Sequence, residues 1–284
     1  MNLIISKNMS KGFSLIEFLI AMLIGLFLLS GIASSYISSY KSSVKQDELS
    51  KLEDNGRLAL EILSKTIEHT GYTPIHAGIL NPPFIYNGGP SIVSETCPDG
   101  SDSVVKPGNF SATRYTRDFD KGDQIGVIYN SDSRVFTDCA GGELPVSCQV
   151  EAPSVAAVGA PSDKSKIYNV FYLQKKKNRL MCVGSRTKAP QVIADGIENI
   201  QFMYGLSATG GDVDRYVRAT DIVDAAMWAS VVSVQIAVLV RSDKPVKSKK
   251  EKITYTLLDQ KYTTKSDKYQ RAVFTTTVHL RNTL

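Results

Sequence analysis

The sequence has 284 residues, 43% of them hydrophobic and 21% charged, with 33 basic against 28 acidic side chains and a formal net charge of +5. That length suits one sizeable domain with its own core and a further segment beside it. The charge is too mild to demand nucleic acid or anionic lipid as a partner, and none of the four cysteines stands in the Cys-x-x-Cys spacing of a redox or zinc site.

The first predicted element is apolar. From Phe18 to Leu29 there is no polar side chain, and apolar character continues through Ile37 with serines interspersed. Phe13 to Ile37 would rise roughly 37 Å as a helix, enough to cross a hydrocarbon core about 30 Å thick. One carboxylate, Glu17, sits inside this span, four residues past Phe13. A charged side chain of this kind costs about 2.5–3.5 kcal/mol at the centre of a membrane helix and less near its end. Such a residue points to function and needs a partner. Cleavage between Gly12 and Phe13 would supply one, because the new amine at Phe13 lies within one helical turn of Glu17 in depth. Parallel helices staggered by about one turn would set the amine of one against the Glu17 of the next, a head-to-tail rule for building a filament. The competing reading is a secretory signal peptide with basic Lys7 and Lys11 and a small-residue cleavage site at Gly31-Ile32-Ala33. Glu17 has no purpose in a segment destined for removal, and the mature N-terminus separates the two: Phe13 or Ser34.

Lys11-Gly12-Phe13-Ser14-Leu15-Ile16-Glu17 resembles the processing site of type IV pilins and pseudopilins. The resemblance implies that a prepilin peptidase cuts after Gly12 on the cytoplasmic side, that Phe13 is then N-methylated, and that Glu17 guides assembly. Within the span, small residues recur every four positions (Ala21 and Gly25; Ser30, Ser34 and Ser38; Gly31, Ser35 and Ser39), which would let helices approach closely in lipid. The same serines also fit a plain polar exit from the membrane. Many pilins carry a proline about ten residues after the position of Phe18; here none occurs through Tyr72.

Beyond Tyr40, Leu49, Leu52, Gly56, Ala59, Leu60, Leu63 and Ile67 follow the three–four spacing of an amphipathic helix, ended by Gly71-Tyr72-Thr73-Pro74. A helix from Phe13 to Thr70 would span roughly 87 Å. Residues 74–118 are loop-like, with short strands expected at Phe84–Tyr86 and Val104–Lys106. Strands follow at Gln124–Tyr129, at Ile167–Gln174 and Arg179–Val183 as a hairpin, at Gly196–Gly205, at Val231–Val240, and at Glu251–Leu258 and Ala272–Leu280 as a last pair. Asp221–Trp228 reads as a short helix. The expected fold class is α+β: a long N-terminal helix, half transmembrane and half amphipathic, packed on one antiparallel sheet of about five to eight strands.

Cys97, Cys139, Cys148 and Cys182 all lie beyond the apolar span, and an even count behind an export signal reads as disulfides formed outside the cytoplasm. Three connectivities are open. Lys7 and Lys11 are matched by Lys41 and Lys45, so the flanking charge does not orient the span; the cysteines place the bulk outside. His69, His76 and His279 are scattered, and no HExxH, GxSxG or P-loop pattern occurs. Asp212 and Asp214 resemble acidic calcium-type loops, but calcium takes six to eight oxygens, and Ser207 and Thr209 stand where further carboxylates would help. A polar turn is the simpler reading, and Asp99-Gly100-Ser101-Asp102 is a weaker case of the same. Lys175–Lys177 and the lysine-rich Lys244–Lys250 offer charge for DNA phosphates, although such runs are usually just solvated. Trp228 reads as a core anchor.

Further stretches resemble the PilW-type minor pilins: Asn55-Gly56-Arg57-Leu58-Ala59-Leu60, Gly71-Tyr72, Gly122-Asp123-Gln124-Ile125-Gly126-Val127, Asp138-Cys139, Asp195-Gly196-Ile197-Glu198-Asn199-Ile200, Val231 to Ser242, and Arg271 to Val278. The resemblance implies a Cys139–Cys182 bond with Cys97 left for Cys148. It also implies a non-enzymatic structural subunit, without cofactor or metal, that primes pilus assembly and sits in the tip complex, supporting motility, adhesion and DNA uptake. Its partners would be other minor pilins, the major pilin, a large tip adhesin, the prepilin peptidase and the inner membrane. On this reading residues 1–12 are a cleaved leader, 13–40 the transmembrane helix, 41–72 its amphipathic continuation and 73–284 a periplasmic β-rich domain carried to the pilus tip. The alternatives are a type II secretion pseudopilin and a tip receptor that binds DNA or a surface through residues 74–118 and 140–165.

Overall fold

A computed structural model describes residues 14–74, 83–89, 92–110, 115–119, 122–150 and 163–282. The chain divides between Asp47 and Glu48 into two compact units. The first unit consists of the opening part of helix α1, which runs Leu15–Glu68. From Leu15 (77%) to Tyr40 (63%) its large apolar side chains are all more than half exposed.

The second unit begins with the remainder of α1. Here Leu52, Gly56, Ala59, Leu63 and Ile67 are buried, and their spacing of four, three, four and four keeps them on one stripe. The helix ends because Gly71 takes φ +74° and turns its amide to the Ile128 carbonyl at 2.8 Å. Asn282 Nδ2 donates to the carbonyls of Glu68 and Thr70 at 3.2 and 3.4 Å, satisfying acceptors that a helix end leaves open. The residues beyond Glu68 are therefore a cap rather than the final turn expected through Thr70.

Two antiparallel four-stranded sheets form the body, in place of the single sheet expected. One has the order β1-β2-β3-β4, with β1 Ile125–Asn130, β2 Lys166–Gln174, β3 Arg179–Gly184 and β4 Gln191–Asp195. The other has the order β10-β7-β5-β6, with β5 Ile197–Leu206, β6 Arg215–Val217, β7 Val231–Pro245 and β10 Tyr269–His279. Gly196 separates them: it sits at φ +74°, and a Cβ added there would lie 2.7 Å from the Arg241 carbonyl oxygen. Only glycine makes that corner without strain, so β4 and β5 lie in different sheets although two residues apart. The expected last pair is also corrected. β8 (Thr254–Leu257) pairs with β9 (Gln260–Thr263), while β10 pairs with β7. Phe84–Tyr86 and Val104–Lys106 are not strands; Phe84 makes one bridge to Val127, and Ile85 N donates to the Gly126 carbonyl at 2.9 Å, which covers the edge of β1. Asp221–Trp228 resolves into a 3-10 turn at Ala219–Asp221 and the one-turn helix α2, Ala225–Ala229, capped by Asp224.

Strand β7 shows why the second sheet is buried on both faces. Val234, Ile236, Val238 and Val240 join the main core with the α1 stripe, whereas Ala237 and Leu239 belong to a separate cluster with Leu257, Tyr255 and Tyr262 of the β8–β9 hairpin. Period-two alternation directs each set to its own side. Trp228 is 3% exposed and packs on Phe84, Tyr86 and Tyr204 with ring centroids 5.3–5.7 Å away, an anchor of the core.

At Gly56, helix propensity and packing oppose each other. Alanine would favour the helix by about 1 kcal/mol, but its Cβ would meet Phe274 of β10 at 2.5 Å from Cδ2 and 3.0 Å from Cγ. Contact with Cγ, close to the root of the side chain, means the whole ring must shift, at about 1–3 kcal/mol. Gly56→Ala is expected to lower the thermal midpoint of a soluble fragment beginning at Lys41, and Phe274→Leu in the same chain to restore part of it. A midpoint raised by Gly56→Ala alone would show that propensity wins.

Candidate functional site: the start of the apolar helix

Glu17 is the third residue of α1, and Ser14 stands at the position preceding it. The Glu17 Oε2 accepts the backbone N–H of Ser14 at 3.0 Å. This is half of a capping box, Ser-x-x-Glu, in which the acid reaches back to an amide that the helix leaves unpaired. Its position in the first turn also sets the carboxylate against the positive end of the helix dipole. The sequence reading assigned Glu17 to assembly and overlooked Ser14, although the Ser-x-x-Glu spacing is visible in the chain. Gly12 and Phe13, the expected cleavage and methylation positions, lie outside the described residues.

Around Glu17 the helix presents an unrelieved apolar surface: Leu15, Ile16, Phe18, Leu19 and Ile20 are 52–77% exposed. By length and composition α1 is apolar enough to cross a membrane, and its most apolar window has no buried residue. So continuous a surface far exceeds what a soluble protein leaves open to water. Lipid or neighbouring helices must cover it.

The other sequence candidates are placed as follows. Cys97 is bonded to Cys148 and Cys139 to Cys182, with Cα separations of 5.2 and 6.3 Å. Asp138, next to Cys139, is buried and organises this region: its Oδ1 accepts from the amides of Ala140 (2.9 Å) and Gly142 (2.8 Å), and its Oδ2 from that of Arg186 (2.8 Å). Asp214 Oδ2 accepts the Ala208 amide at 2.8 Å and Asp212 is exposed, so the acidic loop closes on its own backbone. Among the described residues no group of three or more His, Cys, Asp or Glu side chains is placed to hold a metal. His69 is exposed, with its pKa lowered chiefly by partial desolvation, His279 is exposed on β10, and His76 lies outside the described residues. The loops at 74–118 and 140–165 are described only in part.

Residues 167–282 match the family model of the type IV pilus-assembly protein W, and residues 7–33 match the prokaryotic N-terminal methylation motif. The chain is similar to that family over residues 167–282, which is less than half of its length. The Glu17 site lies inside the methylation motif, and β2 to β10 make up the family-specific part. Members of this family are structural pilus-assembly proteins and not enzymes. The motif and the apolar helix make the chain an inner-membrane prepilin that is assembled into a pilus. No curated protein sequence matches it. Among solved structures it is similar to a type IV-like pilin from Thermus thermophilus, at 11% identity and a TM-score of 0.40, covering 81% of this chain and 97% of that one.

One further buried acid gives a pH-dependent expectation. Asp123, in the Gly122-Asp123-Gln124 stretch, docks this segment on β5: its amide donates to the Ile200 carbonyl at 2.8 Å, and its carboxylate accepts from Phe119 and Phe202 at 2.8 and 2.9 Å. Burial pushes its pKa up to about 7, against the opposing pull of those two amides. The folded state thus holds this proton more tightly than the unfolded chain. Its contribution is complete below about pH 4, falls as pH rises, and is gone above about pH 7. The stability difference between the native chain and Asp123→Asn should shift against the native chain across that window. A difference independent of pH would refute the assignment.

Proposed function

We propose that this chain, similar to the type IV pilus-assembly protein W over residues 167–282, primes type IV pilus assembly as a low-abundance subunit, joining other minor pilins, the major pilin and a large adhesin in a complex at the tip. Leader removal after Gly12 frees the amine of Phe13, which is then N-methylated. Glu17 of one subunit pairs with the amine of the next, and the small residues of α1 admit the close helix packing that brings the two together. The observation that carries this reading is the position of Glu17: a carboxylate in the first turn of an apolar helix, held by its own Ser14 amide and in no ion pair among the described residues. In a medium where an unpaired charge costs several kcal/mol, a subunit that supplies an ammonium group is the strongest available partner. Motility, adhesion and DNA uptake follow as consequences of having a pilus.

The test is deletion of the gene. Surface pili should fall sharply while processed major pilin accumulates in the inner membrane, and affinity capture of tagged chain from that membrane should recover other minor pilins. Normal piliation in the deletion strain would overturn the priming role.

A further inference from the structure

We propose that the outer edge of β10 is a docking site for one extended strand of another pilus subunit, added to the second sheet by backbone hydrogen bonds. Register shows which backbone groups are on offer. Leu280 N donates to the Val232 carbonyl at 2.9 Å, so the alternate residues Val278, Thr276, Phe274 and Ala272 are the ones bonded to β7. The same phase holds on the far side of β7, where its odd-numbered residues face β5 and Arg241 N donates to the Gly196 carbonyl at 2.8 Å. The amides and carbonyls of Val273, Thr275, Thr277 and His279 therefore point away from the sheet. Among the described residues no hydrogen bond reaches these groups from elsewhere in the chain.

Other edges are covered or short. Ile85 lies along β1, β6 has three residues and β4 has five. Strand β10 has eleven, and its register on β7 is unbroken from Arg271 to His279. Open edges are normally blunted by lysine, proline or a bulge. The run Ala272-Val273-Phe274-Thr275-Thr276-Thr277-Val278 has none of these; it is uncharged and mostly β-branched. An edge left in this state is a template for strand addition.

The same geometry specifies the occupant. Amides and carbonyls alternating along about 20 Å are matched by extended polypeptide, not by lipid or nucleic acid. Side chains of an added strand stand beside those of β10. On one face they meet Ala272 and Phe274 at the rim of the main core, and on the other Val273 and the exposed Thr275 and Thr277. Charges on that strand would find no counter-ion between Ala272 and Val278. The strand that fits is uncharged, apolar on the Phe274 face and small or β-branched on the other. The inference rests on the pilus-assembly reading, which supplies other subunits as donors.

The full chain carrying Thr275→Pro tests this in cells lacking the native copy. Proline removes one outward amide and none bonded to β7, a position that edge strands accept. We expect the variant to accumulate and be processed normally, while its incorporation into sheared pili falls about tenfold, the worth of one such bond with its acceptor left unpaired. Thr275→Val keeps the amide and should incorporate like the native chain. Equal incorporation of the two variants overturns the proposal. If the proline variant folds poorly, amide exchange of the native chain decides. Exchange at Thr275 and Thr277 should be fast in chain purified alone in detergent and severalfold slower in the complex captured from the membrane. Unchanged exchange overturns the proposal. So does protection in the purified chain, which assigns the edge to a second copy or to the chain itself. Absence of the native chain from sheared pili refutes the assembly reading instead, a separate result.

Discussion

Glu17→Gln is expected to leave processing intact and to reduce incorporation into sheared pili by at least tenfold. The substitution separates two jobs of one side chain. Glutamine keeps an oxygen to accept the Ser14 amide now bound at 3.0 Å, so the start of α1 should hold. It removes the charge that would balance the Phe13 amine of a neighbour, and breaking a buried ion pair from one side costs about 3–5 kcal/mol. Glu17→Ala removes both jobs and should be no less defective. Mass spectrometry of the mature chain establishes whether it begins at Phe13, and quantitative blotting of sheared pili against whole cells measures incorporation. If the glutamine variant incorporates normally while alanine does not, the acid serves as a helix cap and the ion-pair mechanism is wrong.

Gly184→Ala should cost about 3 kcal/mol or more and markedly lower the thermal midpoint. A Cβ at Gly184 would overlap the side chain of Asp138. That carboxylate has nowhere to go, being held by the amides of Ala140, Gly142 and Arg186. Displacing it would leave several donors unsatisfied in a buried place, at about 1–3 kcal/mol each. The damage falls beside the Cys139–Cys182 bond, since Asp138 precedes one cysteine and Gly184 follows the other by two positions. Gly108→Ala is the control: no atom lies within 4 Å of its added Cβ, and its stability should stay within about 0.5 kcal/mol of the native chain. Thermal unfolding of soluble fragments beginning at Lys41 measures both. Equal midpoints for the two variants would show that Asp138 has room to move.

The long helix was legible because its signals are local. An unbroken apolar run, a three–four stripe from Leu52 to Ile67 and a glycine–proline stop are each contained within a few turns. Only its exact end was misjudged, because the cap comes from Asn282, more than two hundred positions away. Most strands were also visible as β-branched or alternating runs. Their assembly was not. The short β4, β6 and β9 escaped notice because three to five residues carry little periodicity, and β9 then took the pairing that had been given to Ala272–Leu280. Gly196-Ile197 looked like the start of a strand, whereas the positive φ of Gly196 makes it the corner between two sheets.

The sequence by itself determined the membrane-spanning helix, the isolated acid in its first turn and the β-rich character of the rest. Composition and spacing within a single segment are sufficient for those. The tertiary structure alone decided that Asp138 and Gly184 share one crowded place and that Asp123 is buried against β5. Each of these depends on backbone partners brought together across long stretches of chain by strand register and turn geometry, and register leaves no mark in any one segment read alone.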